Sequence, residues 1–196
     1  MSVGLANPAH ATDFSFVGSL DNPDEVQLFS FIVPVESIVT LRTWSYAGGV
    51  NAAGNTIVRG GFDPILALFN SVGQLIGEND DGFGVAADSV TGASFDTLFQ
   101  QNLAAGNYTV SVAAFSNFAN GPNLSDGFEG GGSFTDVTGN QRTNAWAFDI
   151  LNVGEATQIG AVPEPATWAM MLLGFGFVGG AVRSAKLKQK TTIAYT

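Results

Sequence analysis

"VQLFSFIV", Val26 to Val33, and "SIVTLRTWSY", Ser37 to Tyr46, decide the fold. Read with a period of two, the first places Val26, Leu28, Ser30 and Ile32 on one face and Gln27, Phe29, Phe31 and Val33 on the other. A segment that is apolar on both faces belongs in the middle of a sheet. The second alternates Ile38, Thr40, Arg42 and Trp44 with Val39, Leu41, Thr43 and Ser45, and is rich in β-branched residues, the pattern of a half-buried strand. The same spacing recurs outward from this pair. "FSFVGSL" precedes it, "PILALFN" and "QLIGEN" flank a hairpin-length connection at Ser71-Val72-Gly73, and "NYTVSVAAF" sets Tyr108, Val110, Val112 and Ala114 on one face. "NAWAFDILNV" sets Trp146, Phe148 and Ile150 opposite Ala145, Ala147, Asp149 and Leu151. No stretch before Val162 keeps helical spacing over three turns. Sheets with one apolar face and no helices to cover it cover each other, so the expected body is all-β: an antiparallel, jelly-roll-like β-sandwich over residues 12–156, with a linker at 157–161.

The chain has 196 residues, including 16 Phe and 25 Gly, and only 12% are charged, which fits one turn-rich domain with tails. Before Val162 there are 16 acidic residues against the three arginines Arg42, Arg59 and Arg142, a net charge of −13. Such a body repels phosphate backbones, so nucleic acid is excluded as a partner. With no cysteine, disulfides and thiol chemistry are excluded as well.

The C-terminal region has a different character. Pro163 and Pro165 flank Glu164 in a stiff tripeptide that continues neither helix nor strand. Ala166 to Val182 then run 17 residues without a charge, slightly short of the roughly 20 that a helix needs to cross a bilayer. Arg183, Lys186, Lys188 and Lys190 follow as a basic stop. This order predicts a short transmembrane-type helix behind an exposed hinge. "VPEPATWAMMLLGFGFVGGAV" with its basic sequel resembles the PEP-CTERM sorting signal of exopolysaccharide-producing Gram-negative bacteria. The resemblance implies insertion of residues 162–190 in the inner membrane before processing. It also implies recognition of Val162, Pro163, Glu164 and Pro165 by an exosortase that removes the tail, leaving the protein at the cell surface or in the extracellular matrix. Residues 191–196 are expected to be disordered. At the other end, "AHA" at Ala9 to Ala11 reads as a small-x-small cleavage site, so residues 1–11 are expected to be the remnant of a signal peptide.

In the body, "DEVQLFSFIVPVESIVTLRTWSY" followed by "GGFDPILALFNSVGQLIGENDDG" is similar to the β-sandwich of bacterial pre-peptidase C-terminal domains. The run through "TLFQQNLAAGNYTVSV", "NFANGPNLSDGF" and "AWAFDI" looks like a family of exported PEP-CTERM proteins of unknown biochemical role. Both resemblances imply a noncatalytic adhesive or matrix module.

Side-chain inventory limits the chemistry. Between Thr12 and Ala161 there is no His, Lys or Cys, which excludes Ser-His-Asp, Cys-His and Ser-Lys catalysis, Schiff-base lysines and His or Cys zinc sites. A carboxylate pair of the glycosidase kind is the catalytic device left, and Trp44 and Trp146 read as core aromatics in place of a sugar platform. Calcium is the cofactor that the remaining side chains suit. Asn79, Asp80 and Asp81 share a turn, Asp63 opens the preceding strand, and Asp88 or Asp96 lies nearby in sequence. Hard cations take six to eight such oxygens; the other reading of "ENDDG" is a turn in which Asn and Asp bond their own backbone. Phe115 to Asn140 is a long loop dense in Gly, Asn and Asp, either pinned to the sandwich by Phe118 and Phe128 or facing a ligand. The expected function is structural or adhesive in a polysaccharide matrix. The alternatives are a carbohydrate-binding module and a carboxylate-dependent glycan hydrolase.

Overall fold

The computed structural model describes residues 11–162, and the chain divides into two units between Val162 and Pro163. The described residues build an all-β fold of eleven strands: β1 (Thr12–Ser19), β2 (Val26–Val33), β3 (Ser37–Thr43), β4 (Gly49–Val50), β5 (Thr56–Ile57), β6 (Pro64–Phe69), β7 (Leu75–Asn79), β8 (Leu98–Leu103), β9 (Gly106–Ala114), β10 (Ala145–Val153) and β11 (Glu155–Val162). A single 3-10 turn at Leu124–Asp126 is the helical content among the described residues. The strands form a four-stranded sheet in the order β1-β10-β3-β8, a five-stranded sheet in the order β11-β2-β9-β6-β7, and a small β4-β5 ribbon. Every ladder pairing is antiparallel.

The two larger sheets close on one core, because each offers it a period-2 apolar face. Phe29, Phe31 and Val33 of β2, Leu66 and Leu68 of β6, and Val110 and Val112 of β9 meet Val39 and Leu41 of β3 and Trp146, Phe148 and Ile150 of β10. Phe29 is the focus of this contact. Its ring lies 4.9 Å from that of Phe16, 5.0 Å from Phe148 and 5.5 Å, edge-on, from Trp146. Such aromatic pairs add about 0.5–1.5 kcal/mol each beyond area burial.

β2 is central, as its two apolar faces require: it pairs with β11 on one side and β9 on the other. The Val26–Leu28 end of its second face is covered by a loop that carries the 3-10 turn, while Ile32 at the other end is exposed. Val26, Leu28, Ala67, Phe69 and Ala113 are buried beneath Phe128, with Ala119 and Leu124 packed alongside. These three covering residues belong to the 115–140 loop, which is therefore a wall of the domain. Asn117 fixes the loop by accepting from the Gly130 amide at 2.7 Å and donating to the Asp24 carbonyl at 2.9 Å, and the Gly132 amide donates to the Asp24 carboxylate at 2.8 Å. Gly132 has to be glycine, since a Cβ there would sit 1.9 Å from the Pro23 carbonyl oxygen.

The expected linker at 157–161 is strand: residues 155–162 form β11, which pairs with β2 in one register from Glu155↔Ile32 to Ile159↔Leu28 and, after a register shift, at Val162↔Val26. Its backbone completes the β2 edge, a role that needs little from the side chains. The expected signal remnant falls on residues 1–11, of which 1–10 lie outside the described residues, and β1 begins at Thr12. The expected C-terminal helix and the disordered end at 191–196 also lie outside them.

Because Phe128 is 8% exposed over the second core while Phe83 is fully exposed, their truncations should differ. In urea unfolding, Phe128→Ala is expected to lose about 3 kcal/mol, and Phe83→Ala to stay within about 0.5 kcal/mol of the parent.

Candidate functional site

The β6–β7 hairpin carries its acidic residues at one end. Leu66 pairs with Asn79, so Asp63, just before β6, and Asp80 and Asp81, just after β7, lie side by side. At the far end, Gly73 turns the chain with φ of 81°, a conformation that favours glycine. One carboxylate oxygen from each of Asp63, Asp80 and Asp81 lies within 4.8 Å of the others. Asp63 is 4% exposed, Asp80 is half-buried and Asp81 is exposed, so the cluster is buried at one end and open at the other. Oδ1 of Asp63 and Oδ1 of Asp80 are buried without a hydrogen-bond partner, as is Oδ1 of Asn79. Asn79 Nδ2 donates to the Asp81 carbonyl at 3.4 Å. Burial raises the Asp63 carboxyl to about 8, with the charges of Asp80, Asp81, Asp136 and Asp96 adding to it. Asp80 is pushed up to about 6 by burial and by Asp81 and Glu78. Asp81 is raised by burial.

Asp88 does not join this cluster, contrary to the sequence expectation. It is buried against two arginines. Arg59 donates to it through Nε and, at 2.6 Å, through Nη2; Arg142 Nη1 lies 3.2 Å away, and Thr91 Oγ1 donates at 2.8 Å. The hydrogen bonds from Arg59, then from Thr91 and Arg142, hold its carboxyl well below the usual carboxylate range against the opposing effect of burial. Sequence proximity to the Asn-Asp-Asp turn is misleading here because the loop carries Asp88 to cations from distant positions.

Arg142 is the hub of that arrangement. Its Nε donates to the Gly61 carbonyl at 3.0 Å, its Nη2 to the Tyr46 carbonyl at 2.6 Å, and its guanidinium lies 3.6 Å from the Tyr46 ring centroid. Tyr46 in turn donates its hydroxyl to Asp136 at 2.6 Å. Burial works to raise the Asp136 carboxyl, but donors from Tyr46, Thr138 and Asn140 outweigh it and leave the group below the usual range. Asp96, the other nearby acid in the sequence, accepts from Thr43 Oγ1 at 2.9 Å and from the amides of Tyr46 and Ala47 at 3.1 and 2.8 Å. Nothing in the local sequence announces the Arg59–Asp88–Arg142 group; the sole signal is that so few cations face so many acids.

Trp44 departs from its expected core position. It is half-buried, beneath the Arg42 guanidinium at 3.6 Å, and its Nε1 donates to Asp149 at 2.7 Å. Trp146 is core, as expected. It also lines a cleft of about 520 Å³ together with Val17, Gly18, Ser45, Asn55 and Thr56.

Of the sorting residues, Val162 ends β11. Pro163, Glu164, Pro165, Arg183, Lys186, Lys188 and Lys190 lie outside the described residues. Residues 161–186 match the PEP-CTERM protein-sorting motif. The motif marks an exported, exosortase-sorted protein of Gram-negative bacteria, with exosortase as a transient partner. Comparison of the chain with curated proteins finds no match.

Asp88 gives a pH-dependent prediction. A carboxyl depressed in the folded state contributes stability that is present above the unfolded pKa of about 3.9 and is lost as pH falls through the folded value. Asp88→Asn also leaves the buried Arg142 side chain, 2% exposed, without its counter-charge, at a cost of about 3–5 kcal/mol near neutral pH. Melting curves from pH 6 down to pH 2 should show the parent losing more stability on acidification than Asp88→Asn does.

Proposed function

We propose that this protein is a noncatalytic surface or matrix component, delivered by its sorting tail and acting as a structural or adhesive unit among extracellular polysaccharides. The observation that carries the reading is the junction: the last strand of the sandwich, β11, ends at Val162, inside the matched motif that starts at 161. The folded body thus reaches completion where the sorting signal starts. Several features of the body support a noncatalytic role. It has no His, Lys or Cys between Thr12 and Ala161, and the cleft beside Trp146 is lined by no ionisable side chain. The carboxylates of Asp88, Asp96, Asp136 and Asp149 are occupied with donors inside the fold. An acid intended for proton transfer needs a reacting atom within hydrogen-bond reach.

A second reading, a module that binds one defined glycan, draws on the same cleft. Ser45, Asn55 and Thr56 offer polar groups next to Trp146, whose Nε1 is a buried donor without a partner. A glycan array separates this reading from nonspecific matrix adhesion, and reducing-sugar release would revive the hydrolase alternative.

Sorting is tested in an exosortase-bearing host. Changing Pro163, Glu164 and Pro165 together to alanine is expected to leave full-length protein in the membrane fraction on immunoblots, while the parent appears at the surface as a shortened species. Equal maturation of both would overturn the proposal.

A further inference from the structure

We propose that Asp63, Asp80 and Asp81 form a binding site for a hard divalent cation with the chemistry of calcium. Calcium–oxygen distances of about 2.3–2.6 Å allow two ligands of one ion to lie up to about 5 Å apart; the three carboxylate oxygens here fall within 4.8 Å of one another. The donors are all hard oxygens, which suit calcium, magnesium or manganese and not the metals that select imidazole or thiolate. Asn79, one residue before Asp80, holds another buried and unpartnered oxygen at the same strand end.

A cluster of acids is common on protein surfaces and argues nothing alone. Asp63 supplies the independent observation. Five aspartates are buried in the described residues: Asp63, Asp88, Asp96, Asp136 and Asp149. Four of them are furnished with donors from arginine, tyrosine, tryptophan, threonine or backbone amides. Asp63 is the exception: it is 4% exposed, it points into the cluster, and its Oδ1 has no partner. Buried polar atoms are satisfied in the great majority of cases, and a buried carboxylate oxygen left bare calls for a partner from outside the chain.

Among the described residues no cation is left to be that partner. The described residues include three arginines and no lysine or histidine. Arg59 and Arg142 are both on Asp88, and Arg42 lies over Trp44. Solvent can supply it, because Asp81 is exposed and leaves the cluster accessible. An ion held there would link the start of β6 to the turn after β7. That turn is already tied to the β8 approach by the Gly82 amide donating to the Asp96 carbonyl at 2.9 Å. The cation would therefore brace the open end of the hairpin next to that tie, and this holds whether or not the tail is sorted as proposed.

The test uses the full-length chain, first treated with EDTA and then titrated with CaCl2 by calorimetry and followed by thermal unfolding. One ion per chain is expected, with a dissociation constant around 10⁻⁴–10⁻³ M, the range of extracellular modules. At a calcium concentration about 100-fold above that constant, Tm should rise by about 5–10 °C. Magnesium should act more weakly, since it gives up its water reluctantly. Asp63→Asn and the milder, solvent-side Asp81→Asn should each remove most of the Tm shift, while Asp21→Asn, away from the cluster, keeps it. Absence of binding heat and of any Tm shift at 10 mM calcium in the parent overturns the proposal. A full shift retained by Asp81→Asn and Asp80→Asn also overturns it, by placing the ion elsewhere, and these two variants decide the matter if Asp63→Asn does not fold.

Discussion

One side chain locks the two large sheets together. Phe29 rises from β2 of the five-stranded sheet into a cage made by Phe16 of β1 and by Trp146 and Phe148 of β10, all in the four-stranded sheet. Side chains alternate along a strand, so fixing Phe29 inward fixes every other residue of β2. Leu28 must then face away from the main core, and that face needs a cover. The cover is the Phe128 loop. The register Phe29↔Val110 passes the same constraint through β9 to β6, and β6 positions Asp63. The acidic cluster is thus set by the core, one strand at a time.

Charge imposes the second constraint. A body with 16 acids and three arginines cannot neutralise its buried carboxylates by ion pairing alone. Two arginines converge on one aspartate, and the buried Asp88–Arg142 pair is costly to break because either partner, left alone, is a charge without solvent. Elsewhere the fold relies on hydrogen bonds. Asp149 collects Ser15, Trp44 and the Ala52 amide, and Asp136 organises the turn through Thr138 and Asn140. Loops that look like surface decoration are in this way bound to the strands by neutral donors.

Strands that bury side chains were legible in the sequence, and strands that contribute backbone were not. β2, β3, β6, β9 and β10 place large residues in a core, so their period of two shows in the letters, and the inward sets Val39/Leu41 and Trp146/Phe148/Ile150 match the structure. β11, "EATQIGAV", forms an edge, and Gly160 and Ala161 give it no apolar rhythm to detect. The hairpin of β6 and β7 was readable from Gly73 and its flanks, and with it the approach of Asp63 to Asp80 and Asp81. Asp88 was not, since its partners Arg59 and Arg142 are 29 and 54 positions away and no local pattern encodes such a meeting. The loop over β2 was readable only as an alternative, because a loop of Gly and Asn reveals its few anchoring aromatics after the surface beneath them is known.

The order of the strands also has a temporal meaning. β1 has a single ladder partner, β10, and Thr12 meets Val153 across 141 positions of chain. β10 also stands between β1 and β3, so without it the four-stranded sheet is two unconnected pieces. Long-range pairings of this kind form late and slowly, because the closure entropy must be met before any contact rewards it. A chain emerging from its N-terminal end cannot zip shut early. The strands that complete the two sheets, β10 and β11, adjoin the very segment that carries the sorting address.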